Sequence, residues 1–314
     1  MPDIWTHILC GNKSIASIKN EELYQQIMKR KNIFKLGTQG PDIFYYYKFW
    51  LGMNEKGERV LGRLMHTSST GEFLINCLKY LKTLSDENSY FEILSYVLGF
   101  ISHYSLDSIA HPYIYCYALS EGNKKGLNYV SRSCHKKLEV IIDNIYLYSN
   151  HELDFGVIQP FEAIDVGVYI PGSINDCLRE QIKKIYNYEI KSNIIDNAYR
   201  DMKLGLKLLY DPVNIKLRAI KFVEKILKIP DKYSCAFYPI VADRSIDYMN
   251  TAHREWNNPY KEQDTSRESF NDLLNRAVLE SRQKILASVD FLNDEINEYE
   301  LKCFFPNISY LTGV

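Results

Sequence analysis

No two cysteines of this sequence form a CxxC pair; Cys10, Cys77, Cys116, Cys134, Cys177, Cys235 and Cys303 stand singly along the chain. Their odd number and the lack of any framework exclude a disulfide-stapled secreted scaffold. Excess charge of one sign is missing too. With 38 Lys+Arg against 39 Asp+Glu the formal net charge is −1, so no global basic field invites nucleic acid or an anionic membrane. The opening stretch MPDIWTHILCG has neither the basic region nor the long apolar run of a signal peptide. Apolar runs elsewhere are too short and too interrupted to span a bilayer. These absences together predict a soluble cytoplasmic protein with no transmembrane segment. Alternating strands, internal repeats and low-complexity segments are also absent.

What is present is helical periodicity. The 314 residues are enough for one large domain or two modest ones with an ample core. Tyrosine is abundant, 25 residues against 3 tryptophans, and suits polar pocket walls as well as cores. IKNEELYQQIMKRK starts at an Asn20 cap, with acids early and bases late. SSTGEFLINCLKYLKTL opens with Ser69 and Glu72 in capping-box spacing. SYFEILSYVLGFISHYSLDSIAHPY is apolar nearly all round, as a central buried helix should be, and Pro112 marks its expected end. YVSRSCHKKLEVIIDNIYLYS is a further amphipathic helix, and 175–208, 212–229, 239–257 and 264–300 all carry helical spacing. The stretch 212–229 has a basic face and an apolar one. Packing on its own protein is the ordinary reading of such a helix, and peripheral contact with a membrane surface is the other. Residues 152–176, richer in Gly, Pro and β-branched types, read as an irregular connection. The expected organisation is an all-α fold, with a helical metal-binding catalytic region over 1–150, a connection over 151–176, and a helical region over 177–314 packing on the first.

Histidine is scarce, 7 in all, and five of the seven fall before residue 136. Residues four apart share one face of a helix. His103, Asp107 and His111 therefore form a polar stripe on an otherwise greasy helix, and His135 with Glu139 repeats the spacing on the next. Imidazole nitrogen and carboxylate oxygen are zinc's usual partners apart from thiolate, and a helical bundle suits ligands that project inward from several helices. A buried carboxylate without a cation costs several kcal/mol. Each pair alone is also explained by a satisfied core histidine or a helix-face ion pair. With His7 in WTHILCG, Asp42 in QGPDIFYYY and His66 in RLMHTSS, the set reaches eight candidates. Tyr45, Tyr46, Tyr47 and Tyr104 lie beside them, mostly as core residues. His151 and His253 have no partner at ligand spacing. Asp143, one turn beyond Glu139, is a candidate to orient a ligand.

The order early His, Asp, His, HYxxD with a His soon after, then HxxxE resembles the zinc-dependent phospholipase C family, relatives of the single-strand-specific zinc nucleases. Here it reads His7, Asp42, His66, HYSLD, His111 and HKKLE, over the first half of the chain. The resemblance implies a multi-helix orthogonal bundle with additional C-terminal helices, enclosing two or three Zn2+ ions. By the same resemblance, Asp42, His66, His103 and Asp107 hold one ion and His111, His135 and Glu139 a second. His7 and a bridging Asp107 hold a third, and Asp42 doubles as the catalytic base. The implied activity is phosphodiester hydrolysis by an activated water, on a phospholipid or small phosphodiester. No stable nucleic-acid complex is expected from the neutral charge. The alternatives are a nuclease or nucleotide phosphodiesterase, and a metal-stabilised protein without turnover. Two departures stand out. Secreted members ligate through a free amino-terminal tryptophan, whereas Trp5 is internal here, which leaves Pro2 or Asp3 as substitutes. The step from Asp107 to His111 is also shorter than theirs.

Overall fold

The computed structural model describes residues 4–49, 57–125, 128–149, 159–229, 231–238, 242–261 and 263–314. Fourteen α-helices are described: α1 (Ile4–Ala16), α2 (Glu21–Lys29), α3 (Lys31–Gly37), α4 (Ile43–Tyr46), α5 (Arg59–Thr67), α6 (Thr70–Leu81), α7 (Glu87–Lys125), α8 (Asn128–Ser149), α9 (Pro160–Ala163), α10 (Gly172–Tyr186), α11 (Ser192–Leu209), α12 (Ile215–Leu227), α13 (Phe270–Leu292) and α14 (Glu298–Phe304). The only sheet among the described residues is a two-residue antiparallel pair, β1 (Trp256–Asn257) with β2 (Thr265–Ser266), in register Trp256 to Ser266. The fold is all-α. No described helix is long and apolar enough to cross a membrane.

The axis of the molecule is α7, which packs against α1, α3, α6, α8, α10 and α13. Surrounded on so many sides, it has no solvent face through its middle, which is why its sequence is apolar all round. The α3–α7 crossing is a backbone contact. A Cβ on Gly37 would lie 2.1 Å from the Tyr96 carbonyl oxygen, and one on Gly99 would lie 2.2 Å from that of Phe34. Only glycine permits this approach, and it sets the Gly40–Asp42 3-10 turn against the middle of α7.

Several local expectations are met in altered form. Asn20 caps α2, its side chain accepting from Leu23 N at 3.0 Å. Pro112 does not end its helix: α7 runs on to Lys125. The proline removes one N–H, the partner of the Ser108 carbonyl, while α8 and α13 grip the helix from outside. Gly313, at φ 70°, fits against that carbonyl, where a Cβ would come within 2.6 Å of the oxygen. Ser69 does not cap α6 with its side chain; it sits at φ 48°. The cap comes from far along the chain, Asn307 Oδ1 accepting from Glu72 N at 2.9 Å. The stretch 175–208 divides into α10 and α11 at Asn187, and 264–300 contains β2, α13 and the start of α14.

Two corrections are larger. Residues 242–255 are turns rather than helix. Asp247 accepts from Thr251 N and Ala252 N, and the Asn250 amide donates to the carbonyls of Arg254 and Glu268, so side chains take the place of a helical ladder. The second concerns α12, which buries only Leu217 and Glu224. Its apolar face points to solvent.

Candidate metal centre

Each ligand candidate is brought inward by its own element. Helix α1 is capped from α8: Asp143 accepts from Trp5 N at 2.8 Å and Thr6 N at 2.9 Å, and also from the Thr6 hydroxyl. A carboxylate suits a helix N-terminus, and here it holds the helix that carries His7. Asp143 thus acts on the backbone of α1. Asp42 ends the 3-10 turn. Gly40 in that turn sits at φ 50°, and a Cβ there would lie 2.6 Å from His103 Cδ2, so glycine lets the turn close on the ring. His66 comes from α5, the polar stripe from α7, and His135 and Glu139 from α8.

The structure brings all eight together as three sets whose ligand atoms lie within 4.8 Å of one another: His7, His103 and Asp107; Asp42, His66 and His103; and His111, His135 and Glu139. Asp107 Oδ1 lies 3.3 Å from His7 Nε2, and its Oδ2 lies 3.2 Å from His103 Nε2, 3.7 Å from His111 Nδ1 and 3.9 Å from His66 Nε2. Asp42 Oδ1 approaches His66 Nε2 at 3.0 Å, and Glu139 Oε1 approaches His135 Nε2 at 2.6 Å and His111 Nε2 at 4.0 Å. Because α7 continues through Pro112, the short step keeps His111 on the stripe, between Asp107 and Glu139. The sets are closed to solvent except at their edges, where the His135 side chain is 16 % exposed and that of Asp42 8 %. Pro2 and Asp3, the substitutes for an amino-terminal ligand, lie outside the described residues, as does His151. His253 is exposed and bonded to the Arg267 carbonyl, away from the cluster.

The tautomers favour a cation. His66 Nδ1 donates to the Gly62 carbonyl at 2.6 Å, His103 Nδ1 to that of Thr38 at 3.1 Å, and His111 Nδ1 to that of Tyr310 at 2.7 Å. A carbonyl only accepts, so Nδ1 carries the proton in each, and in a neutral ring the Nε2 lone pair faces the cluster. His103 Nε2, His111 Nε2 and both Asp107 oxygens are buried and make no hydrogen bond. A lone pair 3.2 Å from a carboxylate oxygen is repelled unless a proton or a metal ion lies between them. Burial works against the proton at His111, whose pKa is pushed down to about 3 despite the nearby Asp107 carboxylate. Burial also lowers that of His135. Burial alone would raise the Asp107 pKa; the His111, His103 and His7 rings around it pull it well below the usual carboxylate range. Imidazole nitrogens around a carboxylate are a zinc donor set.

A pH dependence follows for the metal-free protein. An unfolded histidine titrates near 6.5, whereas folded His111 stays neutral to about 3. Between those values the unfolded state binds more protons, so stability falls with acidification, by about 1.4 kcal/mol per pH unit for this one group. Asp107 adds its loss only at lower pH, as its own depressed pKa is crossed. Urea midpoints of chelated protein should drop steadily below about pH 6.5; equal midpoints at pH 7 and pH 4 would contradict the assigned tautomers.

Aromatic rings surround the sets. Tyr310 packs edge-on against His66 at 5.6 Å and His103 at 5.7 Å between centroids, and Tyr115 lies 4.6 Å from His135. Sequence reading misses both residues, since neither has ligand spacing. Of the tyrosines near Asp42, Tyr45 faces His66 at 5.1 Å, while Tyr47 is buried in the core with Tyr104.

A family model described as zinc dependent phospholipase C matches residues 6–203. Comparisons with curated proteins and with solved structures found no match.

Proposed function

The chain belongs to the zinc-dependent phospholipase C family, and we propose that it hydrolyses phosphodiester bonds with zinc held by His7, Asp42, His66, His103, Asp107, His111, His135 and Glu139. The observation that carries the reading is the set of buried Nε2 lone pairs turned toward ionised carboxylates, a geometry that calls for a cation at each set. Bound zinc supplies Lewis acidity to the phosphoryl oxygens and lowers the pKa of an attacking water.

The remaining work falls to the protein. Asp107 faces four histidines and is the member able to bridge two ions. Asp42 sits at a solvent-facing edge, and although burial favours its neutral form, His66 and His103 keep it ionised. It is the group placed to accept the water's proton. His135 marks the other edge. Region 1–150 supplies every ligand, and 177–314 packs around it. Phospholipid is the substrate class that follows from the family. A nucleotide phosphodiester is the second reading, favoured by the aromatic surface of Tyr115 and Tyr260, edge-on at 5.3 Å beside His135.

Protein reconstituted with zinc is expected to hydrolyse phosphatidylcholine and bis-p-nitrophenyl phosphate. Chelation should abolish turnover and zinc should restore it. Asp42→Asn should cut kcat by about 100-fold or more, in the range of a lost general base. Protein that binds two or more zinc ions yet cleaves none of phosphatidylcholine, bis-p-nitrophenyl phosphate or single-stranded DNA would leave a metal-stabilised scaffold as the answer.

A further inference from the structure

We infer that α12 is a membrane-docking helix that seats the molecule on an anionic phospholipid surface. Ile215, Ala219, Phe222, Val223 and Ile226 follow the i, i+4, i+7, i+8, i+11 spacing of one helix face. In a helix that served its own core this face would be turned inward. Here it is turned out: Ile215, Phe222 and Ile226 are 68 %, 66 % and 63 % exposed, and Val223 and Leu227 are exposed beside them. Val213 before the helix, and Leu204 and Leu208 on α11, add further exposed apolar side chains. An apolar surface of this extent marks an interaction site rather than ordinary exposure.

Charge identifies the occupant. The segment 212–229 holds Lys216, Arg218, Lys221, Lys225 and Lys228 and a single acid, Glu224. That acid is turned inward, accepting from Tyr233 N, Ser234 N and the Ser234 hydroxyl. Lys216 caps α11 through the carbonyls of Leu208 and Tyr210. Arg218, Lys221, Lys225 and Lys228 are exposed around the apolar stripe. Apolar residues at the centre and cations at the margin match an interfacial helix on anionic lipid. A second copy of the same face would bring these cations against one another, which opposes self-association.

The position of α12 ties the docking face to the rest of the fold. Glu224 fixes the helix to the turn at 233–234, and the adjoining Ser234–Ala236 turn packs on α8. Asp231 pairs with Lys137 of α8 at 3.5 Å. The choice of lipid rests in part on the proposed phospholipid substrate, but binding can be measured without turnover.

The test is co-sedimentation of full-length protein in chelator with phosphatidylcholine vesicles, with and without phosphatidylserine. The wild type is expected to bind the mixed vesicles more tightly. The double variant Phe222→Ser/Ile226→Ser should lose binding at least ~10-fold. Lys221→Glu/Lys225→Glu should lose about fivefold per charge, with a matching salt dependence. Both variants should keep wild-type zinc content and turnover of bis-p-nitrophenyl phosphate. Failure of the wild type to bind mixed vesicles overturns the inference, as does wild-type binding by the Phe222/Ile226 variant. A concentration-dependent dimer that this variant abolishes overturns it in favour of a second copy. Vesicle binding without any phosphodiester hydrolysis would sink the proposed activity and leave the docking helix standing.

Discussion

Asp107→Asn is expected to strip zinc from the cluster and, with it, the stability that bound zinc supplies. Asp107 is fully buried among the histidine rings. Its oxygens face His7, His66, His103 and His111 between 3.2 and 3.9 Å and make no hydrogen bond. The isosteric amide removes the charge at little cost in packing. An amide is also a far poorer zinc ligand than a carboxylate. Each ion held at a thousand times its Kd adds about 4 kcal/mol to folding stability. Loss of even one ion should therefore lower the unfolding temperature measured in zinc. The check is zinc content by elemental analysis, with thermal unfolding run both in zinc and in chelator. His253→Ala, remote and exposed, should match the wild type in all three. Wild-type zinc content in Asp107→Asn would mean that the bridge is misassigned.

The second large effect is expected from deleting residues 309–314. This segment lies outside the matched family region and reaches the cluster through its backbone. Tyr310 accepts from His111 Nδ1 at 2.7 Å and gives its own N–H to the His66 carbonyl at 2.7 Å. Its ring is buried between His66, His103 and Tyr104. Losing the ring alone, in Tyr310→Ala, should cost about 3–5 kcal/mol as other large aromatic truncations do. The deletion should cost at least that, and should also weaken zinc at the His111, His135 and Glu139 set by about 10–100-fold, the usual price of freeing a ligand's other nitrogen. Comparing the two separates packing from orientation, because Tyr310→Ala keeps the carbonyl. Equal zinc affinity in the deletion and the wild type would show that the carbonyl does not orient His111.

The difference between these two predictions is also the difference in what could be read from the sequence. Asp107 was legible because its partners on α7 recur every four residues, and helix geometry converts that spacing into proximity. Tyr310 was not, since it meets His111 across 199 residues and through a main-chain oxygen that any residue carries. The all-α class followed from periodicity, yet boundaries failed wherever tertiary partners decide. Pro112 is tolerated because α8 and α13 hold the helix on both sides of it. The Ser69 cap is displaced by Asn307 from the far end of the chain. The helical spacing at 239–257 was a false signal over 242–255, where Asp247 and Asn250 bond the backbone themselves. Periodicity marks α12 as amphipathic, but spacing alone does not say on which side the protein lies.

The Tyr310 contact also bears on the order of biosynthesis. A growing chain has displayed all eight ligand candidates by the time Glu139 emerges, long before the residue that aligns His111 has been made. Closing a loop that long is slow relative to helix formation. Nascent chains would therefore carry the side chains of a zinc cluster without its finished geometry, and secure metal capture would wait until Tyr310 has been made and docked. A fragment ending before Tyr310, even one containing the whole of 1–150, would inherit the ligands and lack the alignment.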